Sequence, residues 1–235
     1  MFNNEIRHKA AWPEAGFGNI SQENTTMKIA IVAANGRSGT LIAKEAVARG
    51  HEVTAFVREE NRTVAQHSVA KDALALTRDD LAPFDAVIDA AGGWTAETVG
   101  NITAVAKHLA DILEGTDVRL LVVGGAGSLF TNKERTLTVA DARDFPADWK
   151  PLALTHAAAL AYLRTSKALK WTYLSPAADF QADGERTGAY ELHGEDFTPN
   201  ARGESVLSYA DFAIAMVDEA ENAAHVGERI SVVRK

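Results

Sequence analysis

The sequence predicts a single α/β domain in which helices cover both faces of a doubly wound parallel sheet. Short, continuously apolar segments recur along the chain, as strands that are buried on both faces require. Between them lie segments whose apolar residues are three and four positions apart, which is typical of helices. The 235 residues contain no linker and no internal repeat, so one domain is expected over residues 27–235.

The order of the predicted elements places the functional residues. Strands are predicted over residues 28–33, 51–57, 63–68, 84–91, 119–123, 171–174 and 229–233. Helices are predicted over residues 40–49, 96–113 and 155–169, and Ser208 with Asp211 forms a capping-box start for a further helix. Parallel strands of this kind are joined by right-handed crossovers. Because ligands of such sheets bind beyond the carboxyl ends of the strands, functional residues are expected just after each strand.

The composition argues against several classes of function. The formal charge of −8 gives no electrostatic reason to expect nucleic acid or an anionic membrane as a partner. The chain has no cysteine, which removes thiol nucleophiles and thiolate metal sites, and the histidine spacing predicts no metal site. No apolar run approaches the roughly 20 residues that span a bilayer. Residues 1–26 contain no signal peptide and are interpreted as a flexible extension, with a docking arm as the alternative, so a cytoplasmic protein is expected.

A glycine loop between the first strand and the first helix is the strongest motif. The loop reads Ala33-Ala-Asn-Gly-Arg-Ser-Gly39. Gly36 would let the backbone approach a pyrophosphate, Gly39 would let the helix pack closely on the strand, and the helix N-terminus would attract the anion. Ala33 stands where a first glycine is usual, which predicts a turn that tolerates a Cβ. The loop predicts a Rossmann-type fold with a dinucleotide held by Ala33, Asn35, Gly36, Arg37, Ser38 and Gly39, and a plain tight turn is the alternative.

Two arginines favour NADP(H) over NAD(H). NAD-binding proteins usually place an acidic residue at the end of the second strand to hold the ribose hydroxyls. Here Arg58 follows that strand, and Arg37 lies in the glycine loop. Their guanidinium groups would bracket a 2′-phosphate, although Glu59 and Glu60 follow at once and would oppose it if they faced inward. Two solvated surface arginines are the alternative.

Further motifs give the chain a resemblance to a known family. They are Arg58, Lys71-Asp72, Asp89-Ala-Ala-Gly92, Gly124-Gly-Ala-Gly-Ser-Leu129, Trp171-Thr-Tyr-Leu-Ser-Pro-Ala177 and Gly184-Glu-Arg-Thr-Gly188. Together with the glycine loop they resemble the atypical short-chain dehydrogenase/reductases. The most similar branch is the NAD(P)H-binding, NADH-flavin reductase-like one, which is related to NmrA-like proteins and biliverdin/flavin reductases. The resemblance runs from Met27 to about Val233.

The resemblance implies roles for further residues. Asp72 would accept a hydrogen bond from the adenine amino group, with a helix cap as its alternative role. Ser128 would hydrogen-bond a substrate carbonyl as a catalytic residue, or else cap a turn. The other implied cofactor contacts are Ala90, Ala91 and Gly92 along the ribose, Gly124 and Gly125 beneath the nicotinamide, and Ser175, Pro176 and Ala177 over its carboxamide side.

The chain lacks the acid–base pair that many short-chain reductases use. None of the four tyrosines has a lysine four positions later, and His156 is interpreted as an ordinary surface or core residue. A flavin or quinone accepts hydride into a delocalised ring and collects its proton from water, so it needs less help from the protein. Such a ring would rest on Trp94, Phe130 and Phe180, with Arg186 at a substituent, and core packing or a surface ion pair is the alternative for each.

Three hypotheses about function follow. The first is an NAD(P)H-dependent reductase of a flavin or quinone-like acceptor, with a small molecule as its partner. The second is a non-catalytic NADP(H)-binding redox sensor of NmrA-like type, which would act on a protein partner. The third, an epimerase or dehydratase of a nucleotide sugar, is weakened by the missing tyrosine–lysine pair.

Overall fold

The computed structural model describes residues 26–235, so all of the predicted extension except Thr26 lies outside the described residues. The strands are β1 (Lys28–Val32), β2 (Glu52–Val57), β3 (His67–Ala70), β4 (Ala86–Asp89), β5 (Arg119–Val123), β6 (Trp171–Ser175), β7 (Asp179–Gln181), β8 (Tyr190–His193), β9 (Val206–Ser208) and β10 (Glu228–Arg234). The α-helices are α1 (Arg37–Ala48), α2 (Arg78–Leu81), α3 (Asn101–Leu113), α4 (Lys150–Leu163) and α5 (Tyr209–Asn222). None of the helices in this part of the chain is long and apolar enough to cross a membrane.

Eight strands form the central sheet in the order β3-β2-β1-β4-β5-β6-β10-β8. The strand order reverses between β1 and β4, which pair in parallel through Ile29 with Ala86 and Val32 with Asp89. This is the predicted α/β, Rossmann-like architecture in a single domain. The expectation of a wholly parallel sheet is wrong at one edge, because β8 runs antiparallel to β10. The chain reaches β8 from β6 through residues 176–189, which contain no helix, so no crossover helix requires β8 to be parallel.

The helices cover the two faces of the sheet as separate layers. On one face, α1 and α5 pack through Ile42, Phe212 and Met216 against the apolar side of the strands. On the other face, α3 and α4 pack through residues such as Leu109 and Leu160. The strands between them are buried on both sides, which explains their continuous apolar runs.

Several predicted boundaries are wrong, and one of them affects the site. The predicted helix over residues 155–169 is displaced, because α4 begins at Lys150 and ends at Leu163. Pro151 lies in the first turn, where its missing N–H is not needed, and Thr165 Oγ1 donates to the Tyr162 carbonyl at 2.7 Å where the helix ends. Likewise α3 begins at residue 101 rather than 96, and the predicted strand over 63–68 lies at 67–70. The short strands β7, β8 and β9 were not predicted.

The capping box predicted at α5 is only half formed. Ser208 Oγ accepts the hydrogen bond of the Asp211 amide at 3.0 Å, as predicted. The Asp211 carboxylate does not return to the Ser208 backbone, because it accepts from the amides of Thr187 and Gly188, both at 2.9 Å. Asp211 therefore fastens the Gly184–Gly188 motif to the start of α5.

Candidate functional site

One cavity of about 1010 Å³ lies along the carboxyl ends of the parallel strands, across the point where the strand order reverses. Its arginine end comprises the lining residues of segments 33–38, 56–62 and 71–74. Its aromatic end comprises the lining residues of segments 94–105, 123–127, 139–156 and 176–180, together with Tyr209. The position agrees with the general rule for ligands of open α/β sheets.

The glycine loop presents free amides to the cavity. Gly36 precedes α1, and the amides of Arg37, Ser38 and Gly39 have no hydrogen-bond partner among residues 26–235. A Cβ on Gly36 would lie 3.3 Å from the Ala33 carbonyl, so a side chain here would crowd the loop. Unpaired amides at a helix N-terminus suit a phosphate group, and Gly36 has no side chain that would block its approach.

Ala33 corrects one expectation about this loop. Its φ is +58°, in the left-handed region that favours glycine, whereas the sequence predicted a turn that tolerates a Cβ. The Gly36 amide donates to the Ala33 carbonyl at 3.0 Å and closes the turn. The chain therefore retains the geometry of a glycine with an alanine in its place.

Asn35 joins the glycine loop to the loop after β2. Its Nδ2 donates to the Glu60 carbonyl at 2.9 Å, and its Oδ1 accepts from the Arg62 amide at 2.8 Å. Both polar groups of the side chain are used in this way. Asn35 therefore holds the segment that contains Arg58 beside the glycine loop.

Cations predominate at the arginine end. Arg37 and Arg58 line the cavity, and neither forms an ion pair within residues 26–235. Arg62 and Glu59 line it as well. Asp72 lines the cavity, and its Oδ1 accepts from the Leu74 amide at 2.9 Å, so the cap that was its alternative role is present.

The backbone itself forms the wall of the cavity just after β4 and β5. Ala90, Ala91 and Gly92 follow β4 and line the cavity, as do Gly124 and Gly125 after β5. A Cβ on Gly124 would lie 2.3 Å from the Tyr173 ring, so only glycine fits there. The Gly125 amide donates to the Tyr173 hydroxyl at 3.2 Å, which fixes the loop above the ring.

Two titratable groups lie beside this loop. Burial lowers the pKa of His156 to about 4, and its Nδ1 is 3.4 Å from the Tyr173 hydroxyl. Burial also raises the pKa of Asp89 at the end of β4 to about 7, against the opposing effect of the Ala91 amide, which donates to it at 2.9 Å. His156 lines the cavity. Within the described part of the chain, no three acidic or histidine side chains converge on a metal-sized site.

The aromatic end is an apolar wall. Phe180 stacks on Tyr209 with ring centroids 3.8 Å apart, and both line the cavity. Trp94 and Trp149 also line it, with 69% and 54% of their surfaces exposed, so they stand at its mouth. Flat, partly exposed aromatic faces of this kind suit a planar ring.

Five predicted site residues do not line the cavity. Gly39 lies where a Cβ would be 2.7 Å from the Ala34 carbonyl, so it serves close packing. Ser175, the last residue of β6, is buried. Ser128 accepts from Arg229 through its carbonyl at 3.3 Å.

The last two of these residues are held by other parts of the fold. Phe130 is held by its backbone, whose amide donates to the Glu195 carbonyl at 3.0 Å. Arg186 pairs with Glu45 of α1 at 3.0 Å, which is the surface ion pair given as its alternative.

The remaining predicted residues line the cavity together with residues that the sequence analysis missed. The predicted ones are Ala33, Asn35, Gly36, Arg37, Ser38, Arg58, Asp72, Ala90, Ala91, Gly92, Trp94, Gly124, Gly125, Pro176, Ala177 and Phe180. The missed ones include Arg62, Phe145, Trp149, Leu152 and Tyr209. Phe145 and Trp149 lie just before α4, and Leu152 lies in its first turn. The signal for these three was Pro151, which marks a helix start.

Comparison with known proteins agrees with this geometry. A sequence family described as NAD(P)H-binding matches residues 33–223. The chain belongs to this NAD(P)H-binding family. Its Bacillus subtilis relative YwnB, an uncharacterized protein, is 42% identical over 210 residues, which cover 88% of this chain and 98% of YwnB.

Two crystal structures of similar proteins have the same fold. SP1627 of Streptococcus pneumoniae, described as a putative NADH-flavin reductase, is 50% identical with a TM-score of 0.87, covering 89% of this chain and all of that one. A putative epimerase from Bacteroides thetaiotaomicron is 33% identical with a TM-score of 0.75, covering 89% and 97%. Membership of the NAD(P)H-binding family and the free amides that follow Gly36 together support a nicotinamide cofactor in the cavity.

Proposed function

We propose that this NAD(P)H-binding protein is an NADPH-dependent reductase that transfers a hydride to a flavin or quinone-like acceptor. The observation that carries the proposal is one continuous cavity with two chemically different ends. Free amides and arginines at one end suit the phosphates of a dinucleotide. Aromatic side chains at the other end suit a planar acceptor. A small-molecule acceptor, reached from solvent past Trp94 and Trp149, is the proposed partner.

The preference for NADPH is supported by Arg37 and Arg58. Neither guanidinium is engaged by a carboxylate within residues 26–235, and Asn35 holds the Arg58 segment against the phosphate-binding loop. Charge-assisted hydrogen bonds contribute about 1.5–3 kcal/mol each. Glu59 lines the same end and opposes an added phosphate, so the net preference is the sum of these effects.

The side chains beside Gly124 and Gly125, where the nicotinamide is proposed to bind, support this type of acceptor. When bound, a reduced nicotinamide supplies hydride. Tyr173 is not suited to supply a proton, because its hydroxyl is engaged with Gly125 and the His156 carbonyl and burial raises its pKa. A ring that collects its proton from water needs no such donor, and the chain then only has to orient it. The name of the Streptococcus pneumoniae relative agrees with this chemistry.

The test is oxidation of NADPH by the purified protein, followed at 340 nm with riboflavin, FMN and a neutral quinone as acceptors. A parallel titration measures binding of NADPH and NADH. We expect NADPH to be bound more tightly than NADH and to be oxidised only when acceptor is present. Tight binding without oxidation by any acceptor would favour the redox sensor instead. Absence of binding would contradict both functions.

A further inference from the structure

Charge is distributed very unevenly along the cavity. Cationic side chains line the arginine end, whereas among residues 26–235 Asp179 is the only Asp, Glu, Lys or Arg residue that lines the aromatic end. The Asp179 carboxylate accepts from Gln181 Nε2 at 2.7 Å and, within the described part of the chain, has no arginine or lysine within hydrogen-bonding distance. An anionic ligand group at this end would therefore find no cation to pair with among the described residues that line it.

His156 adds no positive charge to the aromatic end. Its ring packs against Gly125, where a Cβ would lie 3.0 Å from two ring carbons, and its Nδ1 faces the Tyr173 hydroxyl. The pKa of about 4 that burial gives this ring keeps it neutral at pH 7. A neutral imidazole does not attract an anion as an imidazolium would.

Three cationic side chains near this end are engaged elsewhere. Lys150 donates to the Ala140 carbonyl and lies 3.8 Å from Asp141. Arg229 is buried, and it pairs with Glu195 and donates to the Ser128 carbonyl after β5. Burial raises the pKa of Tyr209 and the charge of Arg37 opposes this, but Arg37 belongs to the glycine loop, where the dinucleotide is proposed to engage it.

We propose that the aromatic end selects an acceptor without a phosphate, so that riboflavin is a better substrate than FMN; this rests on the reductase function proposed above. The two flavins share the isoalloxazine ring and differ only in the terminal phosphate. An anion placed beside apolar walls and Asp179 loses hydration without gaining an ion pair. The reaction balances with one hydride from NADPH and one proton from water, which yield reduced riboflavin and NADP⁺.

The experiment compares the two flavins by turnover and by binding. At saturating NADPH, kcat/KM for riboflavin is expected to exceed that for FMN by about tenfold, which corresponds to about 1.4 kcal/mol. Quenching of flavin fluorescence by protein loaded with NADP⁺ gives both dissociation constants without turnover, and the same order is expected. FMN equal to or better than riboflavin, or no riboflavin binding, would overturn this inference. Oxidation of NADPH by FMN or a quinone would leave the reductase function intact in either case.

A matched pair of variants tests the cause. Leu152 lines the aromatic end on the first turns of α4. Leu152→Lys adds the missing cation and is expected to raise the ratio of FMN to riboflavin kcat/KM by about threefold, as a partly exposed ion pair would. Leu152→Gln changes polarity at similar length without charge and is expected to leave the ratio unchanged. Equal ratios in the two variants would mean that charge does not set the preference.

Discussion

The two ends of the cavity are held in place by different kinds of contact. At the arginine end, exposed hydrogen bonds from Asn35 join two adjacent loops. At the aromatic end, the segments after β5 and β6 lie above the buried guanidinium of Arg229, which reaches Ser128, Ser175 and Glu195. The first end depends on local contacts at the surface, and the second depends on a charge inside the protein.

Because of this difference, residues at one end should affect ligand binding and residues at the other should affect the stability of the fold. Hydrogen bonds in exposed loops contribute little to the free energy of unfolding, but they set the geometry that a ligand meets. A buried ion pair contributes little net stability, yet removing one partner leaves the other unpaired in the interior. Changes at the arginine end should therefore alter cofactor binding, whereas changes beneath the aromatic end should alter folding.

The largest effect is expected for Arg229→Met. This change leaves the Glu195 carboxylate and the Ser128 carbonyl without their buried donor. The free energy of unfolding should fall by about 3–5 kcal/mol, measured by urea denaturation. The matched control is Arg164→Met, since Arg164 binds the same Glu195 at 2.5 Å from an exposed position. That control should cost less than about 1 kcal/mol. Equal losses in the two variants would remove the distinction between the ends.

The second effect is expected for Arg58→Ala at the arginine end. Loss of one charge-assisted contact of about 1.5–3 kcal/mol should weaken NADPH binding by roughly 10–100-fold. NADH has no 2′-phosphate, so its dissociation constant should change little. Both constants are measured by titration, and an unchanged denaturation midpoint serves as the control for folding. Equal weakening of the two cofactors would mean that Arg58 does not contact the 2′-phosphate.

A smaller effect of the same kind is expected for Asn35→Ala. The variant removes the two hydrogen bonds that position the Arg58 segment, and NADPH binding should weaken by about 5–10-fold. If Asn35 acts through Arg58, the same change should matter much less in an Arg58→Ala background. Additive effects in this double-mutant cycle would show that Asn35 acts independently.

The two ends also differ in how far the sequence could predict them. The glycine loop, the order of β1 to β6 and the position of Arg58 follow from short strand–loop–helix units, in which neighbours in sequence are neighbours in space. Ala33 is an exception, because nothing in its side chain indicates a positive φ. The aromatic end combines distant segments, so the prediction of α4 five residues late left Trp149 and Leu152 out of the site. Phe130 and Arg186 were assigned to it although long-range contacts hold them elsewhere.

Opposite pH dependences are expected for His156, which lines the aromatic end, and for Asp89, which is buried at the end of β4. The pKa of His156 is about 4 when folded and ordinarily 6.5, so the unfolded chain binds more protons between these values and stability is lost as the pH falls through them. His156→Gln should therefore lose about 3 kcal/mol less than the wild type between pH 7 and pH 4. An identical pH profile for the two proteins would contradict the buried, neutral ring.

Asp89 should show the opposite sign. Its pKa is about 7 when folded and ordinarily 3.8, so the folded chain binds more protons in this range and gains stability as the pH falls. Asp89→Asn removes that gain, and the variant should lose more stability than the wild type on acidification. Denaturation at pH 7, 5.5 and 4 measures both variants. Profiles shifted in the same direction would show that burial does not control these two groups.

The smallest effect is expected for Ala33→Gly, which asks whether the strained turn serves binding or only folding. An alanine at φ +58° costs about 1–2 kcal/mol, and the greater freedom of glycine in the unfolded chain offsets about 0.5–1 kcal/mol of the gain. The variant should be more stable by up to about 1 kcal/mol, or about 2–4 °C in Tm. Ala223→Gly, at φ +50° beyond the end of α5, is the matched control away from the cavity. Because the loop already has the glycine geometry, NADPH binding should stay within about twofold in both variants. If NADPH binding weakens only in Ala33→Gly, the methyl group of Ala33 itself contributes to binding at the arginine end.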